Sequence, residues 1–320
     1  MSRTAHRSGF VGIVGRPNVG KSTLLNYYLK EKVAIVSPKP QTTRHRILGA
    51  LTRDDAQIIF LDTPGLQKPE HALGRHMQEV AKAVLEEADV LVVMIDGRVG
   101  VTEADEQVFA RVREVVRRRV GGPGGPAVIL AINKVDAVKK PRLLPLLEAC
   151  AKTGLFADCV PVSALTGVQT DALLSRVIAY LPEGPRWYEP DQRTDQTPRR
   201  LVGEFVREQV LLATHQEVPH AVAVLVDNVE ERERVTAIQA TILVERQGQK
   251  AILIGRGGSM LKRIGTAARQ QLERMLGRKV HLELWVKVAE QWREDERMLR
   301  ELGYLDGGSA PPASAPPTVG

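Results

Sequence analysis

Gly15-Arg16-Pro17-Asn18-Val19-Gly20-Lys21-Ser22 satisfies the pattern GxxxxGK[ST] at every fixed position. An apolar run, Phe10–Val14, precedes it, and a helical pattern over Thr23–Leu29 follows. That strand–loop–helix setting is what a phosphate-cradling loop requires. Its glycines let backbone N–H groups close around phosphate oxygens, and the helix N-terminus adds positive potential. Lys21 is expected at the β- and γ-phosphates and the Ser22 hydroxyl on Mg²⁺, with Gly15 to Thr23 forming the phosphate site.

Three further runs each sit at the end of an apolar stretch. Asp62-Thr63-Pro64-Gly65 follows Gln57–Leu61. An aspartate there can serve Mg²⁺, and the Gly65 N–H can approach a γ-phosphate, so Lys21 and Gly65 enter the expected catalytic set. Asn133-Lys134-Val135-Asp136 follows Val128–Ile132. The Asp136 carboxylate can accept both N–H groups on one edge of guanine. Adenine lacks that donor pair and would leave the carboxylate unpaired, so the expected nucleotide is GTP/GDP. Lys134 can lie along the base plane, and Asn133 can tie the base loop to the phosphate loop. Ser163-Ala164-Leu165 follows Cys159–Val162, and the Ala164 N–H is expected to donate to guanine O6. The residue after Gly65 is Leu66, which cannot orient a water as the Gln of some GTPases does. Slow intrinsic turnover follows, with water positioned by backbone groups or a partner.

A second chemistry lies near the C-terminus. Ile254-Gly255-Arg256-Gly257-Gly258 contains a GxxG loop that follows the apolar run Ala251–Ile254 and opens a helix bearing Lys262, Arg263 and Arg269. Such loops clamp a nucleic-acid backbone and leave bases to an adjacent groove. Between Arg246 and Lys279 there are nine Lys or Arg and one acid, Glu273, a local net charge of +8. No aromatic residue lies in that window, so base recognition there must use apolar packing and hydrogen bonds. The expected RNA contacts are Ile254, Gly255, Arg256, Gly257, Gly258, Lys262 and Arg263.

These residues need elements to hold them. The chain has 320 residues, 43% hydrophobic and 26% charged, which suits folded domains and argues against wholesale disorder. Its charge of +7 makes an anionic partner worth testing. The two cysteines, Cys150 and Cys159, fit a reducing cytosol and no metal motif. The N-terminus lacks a signal-peptide core, and no apolar stretch approaches the ~20 residues that span a bilayer. From Phe10 to Leu181, near-continuous Ile/Val/Leu runs alternate with helical patterns, which predicts an α/β fold with a mostly parallel, doubly wound sheet. Ile47–Thr52 reads as an added antiparallel edge strand. The expected division is residues 8–181, a proline-rich linker 182–200 in which Trp187 can pin the chain to a domain, a small α+β domain 201–305, and a disordered tail 306–320. Gly121–Pro126 reads as a breaker-rich loop. Alternation places Trp285 in a strand, with core packing the expectation. Arg117–Arg119 reads as a solvated face, His71 and His76 as too few for a metal site, and Trp292–Glu296 as a structural terminal helix.

Residues 10–181 resemble a small GTPase domain. Gly15–Asn26 and Gln41-Thr42-Thr43-Arg44-His45-Arg46 resemble the bacterial Era family in particular. The likeness continues through Leu181–Pro185, Leu243–Lys250 and His281–Val288, so the second domain resembles a type II KH domain. Membership of that family would imply Thr43 as a further Mg²⁺ ligand and catalytic-set member, with Thr42 the alternative. It would imply binding of 16S ribosomal RNA near its 3′ end and a part in maturing the 30S subunit. It would also imply peripheral contact with the inner membrane of an otherwise cytoplasmic protein, taken here as a monomer. Asn18 stands where potassium-stimulated relatives carry Asn, which suggests K⁺. Two other readings stay open: an RNA-binding module with a structural nucleotide, and a membrane-linked signalling switch.

Overall fold

The computed structural model describes residues 6–66, 69, 71–119 and 125–305. The expected tail and most of the Gly121–Pro126 loop lie outside the described residues. The first domain runs β1 (Arg7–Val14), α1 (Lys21–Leu29), β2 (Ile47–Thr52), β3 (Ala56–Asp62), α2 (Ala72–Glu87), β4 (Val90–Asp96), α3 (Glu103–Arg119), β5 (Ala127–Asn133), α4 (Leu143–Ala151), β6 (Asp158–Pro161) and α5 (Thr170–Tyr180). Its sheet has the order β2-β3-β1-β4-β5-β6, parallel except for the antiparallel edge strand β2. Every residue of β3 and β4 is buried, as strands covered by helices on both faces must be. One core layer stacks Tyr28 on Phe60 at 5.1 Å, and the other sets Phe109 edge-on to Phe156 at 5.2 Å. Parallel strands all end on one side, so the loops after β1, β3, β5 and β6 meet there.

The segment after α5 is a strap. Pro182 accepts from the Ser8 N–H at 3.0 Å, and Gly184 N–H donates to His6 at 3.0 Å. Trp187 packs on Phe10 with ring centroids 5.4 Å apart. The buried Gln57 side chain accepts from the Trp187 and Tyr188 N–H groups at 2.6 and 3.0 Å and donates to the Tyr188 carbonyl at 2.7 Å. Thr194 pairs with Gly49 on β2. The strap ends sooner than the linker read from sequence. Thr197 caps a helix by accepting from the Arg200 N–H, and Pro198 is that helix's first residue, where its missing N–H costs nothing.

The second domain runs α6 (Pro198–Ala213), β7 (Ala223–Glu231), β8 (Val235–Val244), α7 (Gln247–Ile254), α8 (Ser259–Leu276), β9 (Lys279–Val288) and α9 (Glu296–Glu301). β8 pairs antiparallel with β7 and parallel with β9. The apolar run Ala251–Ile254 is the last turn of α7. Val280, Leu282, Leu284 and Val286 join the cores under the helices. Trp285 therefore takes the opposite face and is 49% exposed, contrary to the core packing expected for it. α9 begins only at Glu296, so Trp292 is not in a helix, yet it is fully buried.

Candidate nucleotide and nucleic-acid sites

The phosphate loop turns out of β1 into α1 with little room to spare. Gly20 has φ +106°, and a Cβ there would lie 2.2 Å from Asn133 Nδ2, so only glycine lets the two loops touch. Val19 is fully buried and joins the core under the loop, which anchors the turn. Arg16 pairs with Asp105 of α3 at 3.2 Å, which ties the loop's outer edge to the next layer. Lys21 is buried, and its ammonium donates to the Gly15 and Arg16 carbonyls, both at 3.1 Å. Burial pulls it down to about 8, against the pull of Asp62. The loop is built to surrender this lysine's hydrogen bonds to stronger acceptors such as phosphate oxygens.

Three oxygen side chains meet beside it. Ser22 Oγ donates to Asp62 Oδ2 at 2.6 Å and lies 3.0 Å from Thr43 Oγ1. Asp62 is completely buried, and its Oδ1 has no hydrogen-bond partner among the described residues. Burial raises the Asp62 carboxyl to about 6 even with Lys21 near. An orphaned buried carboxylate oxygen beside two hydroxyls fits a small hard cation with oxygen ligands, as Mg²⁺ is. Thr42, the alternative read from sequence, instead donates to the Lys39 carbonyl at 2.7 Å. Thr63 donates to the Ile13 carbonyl at 3.0 Å, fixing the turn through Pro64, and Gly65 abuts Pro17. Leu66 is buried in the core with Ala81 and Leu85. Among the described residues no His/Cys/Asp/Glu cluster could hold a metal; His71 serves as the N-cap of α2.

Asn133 is the keystone of the base side. Its Nδ2 donates to the Val19 carbonyl at 2.7 Å, and its Oδ1 accepts the Ala164 N–H at 2.9 Å. The Ala164 N–H read from sequence as the guanine O6 donor is thus directed at Asn133. Ser163 accepts the Thr166 N–H at 3.1 Å and is fully buried, while Leu165 is 77% exposed. Asp136 stands exposed on a short 3₁₀ turn, Val135–Ala137. Lys134 donates to the Asn18 carbonyl at 2.6 Å and to Asp96 at 2.9 Å. Burial opposes ionisation of Asp96, but hydrogen bonds from Arg98 and Lys134 hold its carboxyl well below the usual range. Sequence reasoning missed Asp96 and Arg98, although Asp96 ends an apolar strand just as Asp62 does. Asn18 Nδ2 donates to the Pro38 carbonyl at 2.7 Å. Between these loops lies a cleft of ≈ 490 Å³, lined by Pro17, Lys21, Thr43, Gly65, Arg98 and Lys134 among others.

The far wall of that cleft, residues 35–46, is held by the second domain. Ile35 is buried in the core formed by Leu201, Val202 and Phe205. The Val36 N–H donates to Glu208 at 2.8 Å, and Arg207 donates to the Thr42 carbonyl. Arg44, next to Thr43, is wholly buried: it donates to the Val222 carbonyl at 2.6 Å and lies over the Trp292 and Tyr304 rings at 5.6 and 5.9 Å. α2, just after Asp62–Gly65, packs Leu73 and Met77 against Trp292, Leu299 and Tyr304. Nothing in the sequence pattern announced this clasp.

In the second domain, Gly255, Gly257 and Gly258 have φ of +71°, +58° and +79°, and Gly258 is the N-cap of α8. The loop follows Ile254, and Arg256 is exposed. A groove of ≈ 340 Å³ runs between α8 and β9, lined by Gly258, Lys262, Gly265, Arg269 and Leu284 among others. Arg263, read from sequence with Lys262 as an RNA contact, is exposed and donates to the Ala213 carbonyl at the end of α6, at 3.3 Å.

Residues 10–134 match the family described as 50S ribosome-binding GTPase, and residues 217–293 match the KH domain family. A variant of Era from Aquifex aeolicus bound to GDP·AlF4⁻ is 42% identical, with a TM-score of 0.87, covering 93% of this chain and 99% of that one. Era in complex with MgGDPNP and nucleotides 1506–1542 of 16S ribosomal RNA is likewise 42% identical, with a TM-score of 0.88 and the same coverage of both chains.

Proposed function

This chain belongs to the Era family, and on that premise we propose that it is a GTPase that binds the 3′ region of 16S ribosomal RNA and assists maturation of the 30S subunit. The observation that carries the reading is the convergence of Ser22, Thr43 and Asp62 next to Lys21, in a cleft whose wall is clasped by an RNA-binding fold. In this reading Gly15 to Thr23 cradle the phosphates through backbone N–H groups, and Lys21 turns from its loop carbonyls to the β- and γ-phosphates. Ser22, Thr43 and Asp62 would hold Mg²⁺, which neutralises phosphate charge when bound. The Gly65 N–H meets the γ-phosphate. Leu66 is committed to the core, so water must be oriented by backbone or a partner, and intrinsic turnover is slow. The RNA backbone runs over Gly255–Gly258, with Lys262 beside the groove. Triphosphate binding orders residues 35–43, which alters the clasped domain and its RNA groove; hydrolysis reverses this.

Base selectivity supplies a direct test. Asp136→Asn should lower GTP affinity by about 100-fold or more, since a carboxylate taking two N–H groups is lost. It should gain xanthosine triphosphate, whose carbonyl in place of the exocyclic amine suits the Asn amide. Competition of each triphosphate against a fluorescent GDP checks it; unchanged preference for GTP would remove Asp136 from the base site.

Asn18 supports a second cofactor. Its Nδ2 is engaged by Pro38, so Oδ1 is the atom a monovalent cation would take. Turnover should be several-fold faster in KCl than in NaCl at matched ionic strength, and equal rates in the two salts count against K⁺. Multiple turnover in either salt removes the reading of the nucleotide as merely structural. No helix among the described residues is long and apolar enough to cross a membrane. We take the protein to act as a cytoplasmic monomer with peripheral contact at the inner membrane.

A further inference from the structure

Two adjacent residues of α6 hold the wall of the nucleotide cleft at points six residues apart. Arg207 reaches the Thr42 carbonyl, and Glu208 accepts the Val36 N–H at 2.8 Å. Glu208 is buried, 2% exposed, and its other oxygen accepts from Lys32 at 2.6 Å and from Gln271 at 3.0 Å. Gln271 is on α8, is itself 8% exposed, and accepts from Gln209 at 2.8 Å. One carboxylate therefore joins the backbone of the nucleotide-facing segment to the helix that walls the RNA groove. A buried carboxylate is expensive unless its oxygens are satisfied. Here the donors come from two parts of the fold, the segment after α1 (Lys32 and Val36) and α8 (Gln271), and losing any one leaves charge poorly compensated. The helix transmits what happens at Gln271, because Lys262, Gly265 and Arg269 ride on the same rigid element.

We propose that Glu208, through Gln271, is the positioning residue by which the nucleotide-facing segment sets the RNA groove. When residues 36–43 are held in place, Val36 completes the Glu208 shell and α8 sits as described. When they move, Glu208 keeps only Lys32 and Gln271, and α8 must shift to follow. The proposal rests on the reading that nucleotide state changes RNA affinity, and it names the atoms responsible.

The test measures binding of a fluorescent single-stranded RNA carrying a small-subunit rRNA 3′ end to the full chain, with GDP and with a non-hydrolysable GTP analogue. For the wild type the two affinities should differ by roughly 5- to 150-fold, the usual span of coupling between sites. Gln271→Leu, which leaves the Val36 and Lys32 bonds of Glu208 in place, should bring that ratio to within about twofold of one. Glu208→Gln should do the same. Affinity for the GTP analogue itself should stay within about twofold of wild type in Gln271→Leu, which touches no residue of the nucleotide cleft. A merely structural role would weaken RNA binding equally in both nucleotide states and preserve the ratio, which overturns the proposal. A wild-type ratio of one overturns the coupling reading beneath it and is told apart by needing no variant. If Glu208→Gln fails to fold, Gln271→Leu decides alone.

Discussion

Lys21→Met should slow GTP turnover by about 10²- to 10³-fold, the cost of deleting one preorganised donor at a charge-bearing oxygen. It should weaken GTP affinity as well, because a charge-assisted contact to phosphate goes with it. The informative part is what it should not do. A buried ammonium held by two loop carbonyls is costly, and the nearby Asp62 offsets only part of that cost, since burial still pulls Lys21 down to about 8. Met is an unbranched side chain one heavy atom shorter than Lys and fills most of the same space without that charge. The variant freed of nucleotide should therefore melt no lower than wild type. The wild type should regain the advantage once GDP is added, since binding to the folded state alone stabilises it. Paired thermal melts with and without GDP check both halves. A variant that melts well below wild type without nucleotide would mean Lys21 is a structural post.

The second large effect is expected at the other end of the chain. Replacing Arg256 and Gly257 together by Asp should lower RNA affinity by about two orders of magnitude or more while leaving GTP turnover alone. Two anions then face the phosphate backbone where a cation and an open glycine stood. The fold should tolerate the change. A Cβ at Gly257 meets nothing within 4 Å, and its φ of +58° is a region Asp accepts better than most residues. The steric argument thus separates this loop from Gly20, where any Cβ strikes Asn133. RNA binding by filter retention and turnover by phosphate release give the two readouts. Retained RNA affinity would place recognition elsewhere on the domain.

The fold brings the four runs read for the nucleotide to one end of the sheet, and they could be picked out of the sequence because the chemistry expected of them is done largely by backbone. Only certain residues allow backbone to approach a phosphate or a base, and those residues leave a pattern at strand ends. The edge strand Ile47–Thr52 was legible for the ordinary reason that it is short, apolar and followed by a turn. The clasp was not. Ile35, Arg44 and Glu208 belong to no repeat or spacing rule, and their meaning exists only once a distant α6 and Trp292 are brought beside them. Trp285 shows a subtler limit. Alternation says that a strand has two faces but not which one is covered, and the bulkier residue went to the open side. Lys262 and Arg263 are neighbours in sequence yet lie about 100° apart on a helix, so Lys262 lines the groove while Arg263 reaches the Ala213 carbonyl, a difference that a basic run cannot show.

The strap has a mechanical consequence. Its last anchored residues are Thr194, paired with Gly49 and bonded to Leu48, and Gln196, whose amide meets His45 at 3.2 Å. α6 begins at Pro198. The free leash between the domains is thus Thr197 alone, or Asp195 to Thr197 once the Gln196 contact is released, no more than about 10 Å when fully extended. A leash that short forbids wandering. When the clasp opens, the second domain can only swing as a door does, about a hinge beside Thr197, and it remains within reach of the cleft it has left. Reclosure is then an encounter between parts that were never diluted, so it should be fast and independent of protein concentration.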